Sequence, residues 1–101
     1  MKVFIPFKDM FRELMLTGTK TMTSRTRKYG EIGDIFQIFG TTFEIVNVCQ
    51  KSLDVVAWLH YREEGAESPS EFMKGWATIH PIKGYVPTQQ VWVHQFRRTK
   101  S

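Results

Sequence analysis

The strongest structural signal in the chain is a pair of β-prone runs joined by a short turn. Residues 35–48 read IFQIFGTTFEIVNV, in which β-branched and aromatic side chains predominate on both sides of the turn. The turn is Gly40-Thr41-Thr42, and glycine is one of the residues that most often interrupt a strand. The pattern predicts a β-hairpin whose strands are Ile35 to Phe39 and Phe43 to Val48.

Three further runs predict strands on either side of this hairpin. Val3 to Phe7 is a short opening strand, and Val91 to Phe96 is a final one. The run from Thr21 to Arg27 is dense in threonine, and the strand period of two gives it one polar face. That face carries Thr21, Thr23, Arg25 and Arg27. We therefore expect about five or six short strands in all.

Three segments carry helical signals. The first covers Lys8 to Leu16, where apolar residues recur at steps of three and four. The second runs from Ser52 to Tyr61 with Ser52 as its cap. The third begins at Ser68, which is followed by Pro69 at the first helical position and Glu71 at the capping-box position. The residues of the second helix that should face inward are Leu53, Val56, Ala57 and His60.

These elements predict an α+β fold, mainly β, in which a small β-barrel or curled sheet carries two or three short helices. A strict β-α-β alternation is absent, so a doubly wound parallel sheet is not expected. With 101 residues, 42% of them hydrophobic, the chain is long enough for one core and too apolar for a disordered tail. We expect a single domain over residues 1–101.

The sequence carries no signal for a membrane or an oxidising compartment. Its longest uninterrupted apolar run, Val55 to Leu59, is far shorter than a membrane span. The first residues lack an extended apolar region and a cleavage site of small residues, so we expect a cytoplasmic protein without a secretory signal. The single Cys49 has no internal disulfide partner and is expected to be a small buried hydrophobe.

The net charge of +4 is concentrated locally. Four basic residues occur between Lys20 and Lys28 without an intervening acid, namely Lys20, Arg25, Arg27 and Lys28. Arg97, Arg98 and Lys100 form a second basic group near the end of the sequence. Clustered lysine and arginine indicate an anionic partner such as nucleic acid, although solubility alone also accounts for a modest basic excess.

Metal and nucleotide-cofactor motifs are not found. One cysteine is too few for a zinc finger, and His60, His80 and His94 lack the paired spacing of ligands on one helix face. Gly30 and Gly33 lie in a turn between two predicted strands, whereas a dinucleotide fingerprint lies between a strand and a helix. We expect no metal and no cofactor.

The segment from Gly18 to Arg25 has the most promising combination of polar groups. A helix that ends at glycine is followed directly by a strand with Lys20 at its start and Thr23 and Arg25 on one face. A ligand approaching that face would meet an ammonium group, a hydroxyl group and a guanidinium group. The alternative is a solvated strand with ordinary surface charges.

A set of short motifs along almost the whole chain resembles the ASCH domain family. The motifs are Gly18, Lys20, Thr23 and Arg25, then Gly33-Asp34, Glu64-Gly65, Glu71-Phe72, Trp76 and residues 91–96. The resemblance implies a PUA-like β-barrel with a cleft near the first helix. It also implies an association with RNA, nucleosides or translation.

One bacterial branch of that family removes the acetyl group from N4-acetylcytidine, and the resemblance assigns its catalytic roles to Lys20, Thr23 and Glu64. Thr23 would attack the acetyl carbonyl, Lys20 would accept the proton, and Glu64 would orient Lys20 or donate to the departing amine. Base catalysis by Lys20 requires its pKa to fall toward neutrality through burial or a neighbouring cation. Arg25 would lower that pKa, whereas Glu64 would raise it.

The same segment also fits a binding protein. Lys20, Arg25, Arg27 and Lys28 would contact phosphates, and an exposed aromatic ring would stack on a splayed base. The rings considered for stacking are Tyr29, Tyr61 and Tyr85, whereas Trp58, Trp76, Trp92 and the phenylalanines are assigned to the core. His94 is expected to be a hydrogen-bonded structural residue. We predict binding of RNA or a modified nucleoside, with amidohydrolase activity and a non-catalytic adaptor role as alternatives.

Overall fold

The computed structural model describes residues 1–99, and the predicted basic residue Lys100 lies outside them. A 3-10 helix, Asp9–Phe11, precedes the first α-helix. The α-helices are α1 (Arg12–Leu16), α2 (Leu53–Leu59), α3 (Tyr61–Glu64) and α4 (Pro69–Ile79). The strands are β1 (Met22–Arg25), β2 (Ile35–Ile38), β3 (Thr41–Ser52) and β4 (Gln90–Arg98).

The strands form one curled antiparallel sheet in the order β1-β4-β3-β2. The hairpin predicted from residues 35–48 is confirmed: β2 pairs with β3, and Gly40 at the turn has a left-handed φ of 70°. Strand β3 continues beyond the predicted end at Val48 to Ser52, because β4 pairs with it along this length. A register shift between Ile45 and Asn47 locally interrupts that pairing.

The mainly β, α+β class is confirmed, but the prediction of about five or six strands is too high. The described part of the chain has four strands. The predicted strand from Val3 to Phe7 does not form within the described residues: an isolated parallel bridge joins the preceding Lys2 to Ile35, with a hydrogen bond of 2.8 Å from the N–H of Val3 to the Ile35 carbonyl. Beyond Val3 the segment packs into the core instead, since Ile5 is buried and the ring of Phe7 stacks on Phe36.

Two apolar clusters pack against the sheet. The first, which we call the helical cluster, lies between the sheet and helices α2 and α4. It consists of Leu53, Val56, Ala57, Phe72 and Trp76 of the helices and Met22, Val91 and Val93 of the strands. The other cluster consists of Ile5, Met15, Phe36, Phe43, Ile45 and Phe96. Met22 and Thr23 are neighbours on β1 and point to opposite faces, as the strand period of two requires. The strand β1 therefore has side chains on both sides of the sheet.

The described residues contain four α-helices, more than the two or three expected. The helix predicted from Ser52 to Tyr61 ends at Leu59, and α3 begins after His60. The predicted inward face is confirmed for Leu53, Val56 and Ala57, which are fully buried, but not for His60, which caps the end of α2 and is half-buried. The cap of α4 is also confirmed, since the Ser68 hydroxyl accepts a hydrogen bond from the N–H of Glu71 at 3.1 Å.

Two aromatic residues assigned to the core are mostly exposed, and a third, Trp92, is half-buried outside both clusters. Trp58 is 62% exposed and Phe4 is 74% exposed, although both have helix or strand patterns that suggested burial. Trp58 lies on the face of α2 away from Val56 and Ala57, which fill the inward positions. Cys49 is half-buried and packs against the helical cluster. None of the helices in residues 1–99 has the length and apolar character needed to cross a membrane.

Candidate functional site

A buried ion pair joins the start of β1 to α3. The Lys20 ammonium lies 3.5 Å from the Glu64 carboxylate, and the two residues are only 3% and 7% exposed. Lys20 Nζ also donates hydrogen bonds of 2.8 Å to the carbonyl oxygens of Met22 and Glu64. Three acceptors match the three donors of an ammonium group, so Lys20 is held on all sides.

The Glu64 side chain has a second partner on β1. Ser24 donates a hydrogen bond of 2.7 Å from its hydroxyl to Glu64 Oε2. Gly65 ends α3 with a left-handed φ of 99°, and its Cα hydrogens face Lys20 and Leu14 closely. A Cβ at this position would lie 3.3 Å from the Cβ of Lys20. The glycine therefore allows α3 to approach the lysine closely enough to form the pair.

Burial perturbs both members of the pair. Desolvation lowers the pKa of Lys20 below its usual value, while the charge of Glu64 acts in the opposite direction. Desolvation likewise raises the pKa of Glu64, opposed by the charge of Lys20 and the hydrogen bond from Ser24. Perturbed ionisable groups of this kind are characteristic of functional sites and also of structural ion pairs.

Thr23 lies on the opposite face of β1 from Ser24 and has a different partner. Its hydroxyl oxygen accepts a hydrogen bond of 3.1 Å from Nε of Arg25. Among the described hydrogen bonds, none joins Thr23 to Lys20 or Glu64. The structure thus brings together two of the three residues predicted to be catalytic, with Ser24 as the third member of the buried cluster.

Arg25 is the central layer of a cation and aromatic stack. Its guanidinium carbon lies 4.8 Å from the ring centre of Phe7 and 5.4 Å from that of Tyr29. Nη2 donates a hydrogen bond of 2.6 Å to the carbonyl of Pro6, which fixes the side chain. Arg27 covers Tyr29 as well, at 4.6 Å from the ring centre. The Tyr29 ring therefore contacts two guanidinium groups.

His94 is hydrogen-bonded to the backbone of Tyr29, one of the aromatic residues of this stack. The histidine ring is fully buried, and its Nε2 accepts a hydrogen bond of 3.0 Å from the backbone N–H of Tyr29. Its Nδ1 lies 3.4 Å from the carbonyl oxygen of Thr23, which fits a neutral ring protonated at Nδ1. Burial lowers the pKa of His94, favouring that neutral form. The geometry agrees with the structural role predicted for this histidine.

Lys28 extends the same surface toward β4. Its ammonium group lies 5.1 Å above the ring of Trp92 and forms an ion pair with Glu31. Arg27 and Lys28 are exposed, and Arg25 is half-buried. Lys20 differs from these three residues because it is buried under the sheet edge. We call the group Arg25, Arg27, Lys28, Tyr29 and Trp92 the β1 surface.

Sequence reasoning missed several features of this region. Ser24 was not selected, because nothing local indicates a partner forty residues away on α3. Phe7 was assigned to the core, yet its ring also stacks with Arg25. The spacing of Arg25, Arg27 and Tyr29 at steps of two was a signal that could have predicted the contact of both guanidinium groups with the tyrosine ring. Tyr61 and Tyr85, also considered for stacking, pack instead against the helical cluster.

The part of the chain that the structure describes has no group of three or more histidine, cysteine, aspartate or glutamate side chains placed to hold a metal ion. In the same residues, the buried cluster consists of one ammonium, one carboxylate and one hydroxyl group. These groups satisfy one another.

Comparison with known proteins gives matches only at the level of structure. No family model matches the chain, and no curated protein does so. The ASCH domain from Lactobacillus crispatus JV V101 superposes with a TM-score of 0.63 at 12% identity, covering 95% of this chain and 76% of that one.

Two other solved structures are similar to a comparable degree. Protein EF3133 from Enterococcus faecalis V583, described as DUF984, has a TM-score of 0.64 at 16% identity over 89% of this chain and 70% of that chain. The hypothetical protein PH0355 has a TM-score of 0.66 at 16% identity, and the match covers 92% of this chain and 94% of that chain. These likenesses confirm at the level of the fold what the sequence motifs suggested: the chain has an ASCH-like fold.

Proposed function

We propose that residues 1–101 form one ASCH (PUA-like) domain that binds RNA or a modified nucleoside through the β1 surface. One observation carries the proposal: the ring of Tyr29 contacts the guanidinium groups of both Arg25 and Arg27. Layered arginine and aromatic groups offer flat faces on which unpaired bases stack. The same guanidinium groups offer charge and paired donors to phosphate oxygens.

The charge of the β1 surface is largely uncompensated. Within residues 1–99, neither Arg25 nor Arg27 has a carboxylate at ion-pair distance, and only Lys28 is paired, with Glu31. The neighbouring guanidinium groups of Arg27 and Arg25 lower the pKa of Tyr29, which reflects the positive potential around the ring. A positive potential next to aromatic rings supports binding of a single-stranded nucleic acid more than binding of a neutral ligand.

The buried cluster of Lys20, Ser24 and Glu64 supports the surface rather than contacting the ligand in this proposal. Lys20 is too deeply buried to meet a phosphate, and its ammonium donates to three protein acceptors. The cluster holds α3 against one side of β1, while Thr23 and Arg25 occupy the other side. We infer that its role is to fix β1, so that the stack on Arg25 is preformed.

The binding proposal is tested by fluorescence anisotropy with a short labelled single-stranded RNA. We expect the wild type to bind with an affinity that falls steeply with salt, and replacement of Arg25 and Arg27 by glutamine to weaken binding. Loss of two phosphate contacts should reduce the slope of log K against log salt by about 1.4, at roughly 0.7 for each contact on a single strand.

Arg62 provides a matched control for this experiment. It is an exposed arginine that also covers a tyrosine ring, at 5.2 Å from the centre of Tyr61, but it lies on α3 outside the β1 surface. Arg62→Gln should leave affinity and salt slope close to those of the wild type. Absent RNA binding, or equal losses in Arg62→Gln and the double variant, would refute the proposal.

Amidohydrolase activity on N4-acetylcytidine is the second candidate, and one observation favours it. Burial lowers the pKa of Lys20, the direction that a general base requires. The attack on the acetyl carbonyl would need the Thr23 hydroxyl to transfer its proton to Lys20, whereas the Lys20 amine is bonded to Glu64 and to the carbonyl of Met22. Acetate release that disappears in Thr23→Val would support catalysis, and a folded wild type without turnover would reject it for this substrate.

A further inference from the structure

A small cavity lies at the end of β1 opposite to the β1 surface. Its volume is about 230 Å³, and it is bounded by the C-terminal end of α1, by Thr21 and by the last residues of β4. A second cavity of about 280 Å³ shares Arg97 and Arg98 with it. Lys20 also contributes to the lining, but its ammonium group is engaged with Glu64.

The cavity exists because β4 continues where β1 does not. The first residue of β1, Met22, pairs with Gln95, and the next contact is a hydrogen bond of 2.8 Å from the N–H of Phe96 to the carbonyl of Thr21. Residues two apart in a strand present their backbone groups to the same side. The N–H of Arg98 therefore points to the cavity side of β4, where no strand continues the sheet.

The two arginines at this end of β4 have different surroundings. Arg97 donates to the carboxylate of Glu44 from Nε at 3.1 Å and from Nη2 at 2.9 Å, so its charge is compensated. Arg98 donates from Nη1 to the carbonyl of Leu16 at 3.2 Å. No carboxylate in residues 1–99 lies within ion-pair distance of Arg98. Its guanidinium group is thus anchored beside the cavity with most of its five donors free.

The lining of the cavity combines an apolar floor with polar walls. Phe96 and Met15 are buried side chains at the floor, while Thr21 and the guanidinium of Arg98 are at the wall. A backbone N–H, a guanidinium group and a hydroxyl group are the donors that proteins use for phosphate oxygens. The volume is below the range of pockets that enclose a drug-sized ligand, so the space suits a phosphate with part of its sugar.

We propose that this cavity binds a phosphate group, with Arg98 as the principal contact, and that the phosphate belongs to the nucleic-acid ligand of the β1 surface. The choice of ligand rests on the proposed function. Thr21 and Arg25 lie near the two ends of the edge strand β1, and four residue steps of about 3.3 Å separate them by roughly 13 Å. A single strand bound in the cavity therefore has only this short distance to span along the sheet edge before it reaches the exposed rings and cations of the β1 surface.

The first experiment does not require RNA. Inorganic phosphate and a nucleoside 5′-monophosphate are titrated into the uniformly 15N-labelled protein, and amide shifts are followed by NMR. We expect saturable shifts at Gly18, Thr21 and Arg98. The shifts should be lost in Arg98→Gln and retained in Arg62→Gln, which removes the same charge from an exposed position on α3 that does not line the cavity. Absence of saturable shifts, or an equal loss in both variants, would overturn the assignment.

A second experiment identifies the source of the phosphate. RNA oligonucleotides with and without a 5′-phosphate are compared in the anisotropy assay. A terminal phosphate in the cavity predicts tighter binding of the phosphorylated RNA and loss of this preference in Arg98→Gln. An internal phosphate predicts equal binding of both RNAs and a salt slope lower by about 0.7 in Arg98→Gln but not in Arg62→Gln.

The two experiments also separate the two proposals. Phosphate binding that depends on Arg98 without any RNA binding would leave the cavity assignment standing and refute the function of the β1 surface. A second outcome would refute only the cavity assignment. In it, Arg98→Gln binds RNA with the same slope of log K against log salt as the wild type, and phosphate causes no amide shifts in the wild type.

Discussion

Replacement of Lys20 by methionine is expected to destabilise the protein by about 3 to 5 kcal/mol, the usual cost of removing one partner of a buried ion pair. Methionine fills a similar volume, but the Glu64 carboxylate would keep only the hydrogen bond from Ser24. The carbonyls of Met22 and Glu64 would also lose a donor. A chain of 101 residues has a total stability of about 5 to 15 kcal/mol, so the loss is a large fraction of it.

Denaturant unfolding followed by tryptophan fluorescence measures this loss, and the double variant Lys20→Met, Glu64→Gln tests its cause. Removing the unpaired carboxylate should recover at least about 1 kcal/mol, because the amide of glutamine costs less to bury than a charge. A loss below 1 kcal/mol in Lys20→Met, or a double variant less stable than Lys20→Met, would refute the account of the buried pair.

The pH dependence of Lys20→Met supplies a second check on the same reasoning. Burial raises the pKa of Glu64 in the folded state above its value in the unfolded chain. The folded state therefore binds more protons between those two values, and stability rises as the pH is lowered through that window. The positive charge of Lys20 opposes this increase in the pKa of Glu64. Without it, the gain in stability on lowering the pH should be larger in Lys20→Met than in the wild type.

Three further substitutions test the backbone next to the ion pair, the cap of α4 and the buried histidine. Gly65→Ala should lower the free energy of unfolding, measured with denaturant, by about 1 to 3 kcal/mol. The backbone φ is 99° at this position, and the new Cβ would lie 3.2 Å from the Leu14 side chain. An unchanged free energy of unfolding would contradict the position of α3. Ser68→Ala should cost about 1 kcal/mol by the same measurement through loss of the cap on α4, and no loss would contradict the cap. His94 has a lowered pKa in the folded state, so its contribution to stability is lost as the pH falls below about 6.5. The free energy of unfolding of His94→Gln should therefore decline less between pH 7 and 5.5 than that of the wild type. Parallel plots of unfolding free energy against pH for the two proteins would contradict this.

Local signals in the sequence predicted most elements of the fold. The hairpin around Gly40 and the cap at Ser68 depend on residues close together in the chain, so the sequence was sufficient for both. The predicted strand from Val3 to Phe7 was wrong because Ile5 and Phe7 pack against aromatic side chains that are distant in sequence, instead of continuing to pair with β2. The number of strands was overestimated for the same reason.

The candidate site was only partly predictable because its contacts are distant in sequence. Lys20 and Glu64 were selected from the motif, and the structure brings them together across 44 positions. The partners of Thr23 and Ser24 depend on which side of β1 each residue faces, and that side is fixed by pairing with β4. The stack on Tyr29 depends on a backbone hydrogen bond to His94, which is 65 positions away.

The most direct test of the central claim is an NMR titration of the 15N-labelled protein with a short single-stranded RNA, in which backbone amides and arginine Nε–H groups are observed together. The account predicts the largest shifts at Arg25, Arg27 and Tyr29, with smaller ones toward Arg98. The assignment of the β1 surface as the RNA-binding site would be contradicted by shifts centred on α4. It would also be contradicted if no shifts occurred at RNA concentrations that saturate basic proteins known to bind single-stranded RNA.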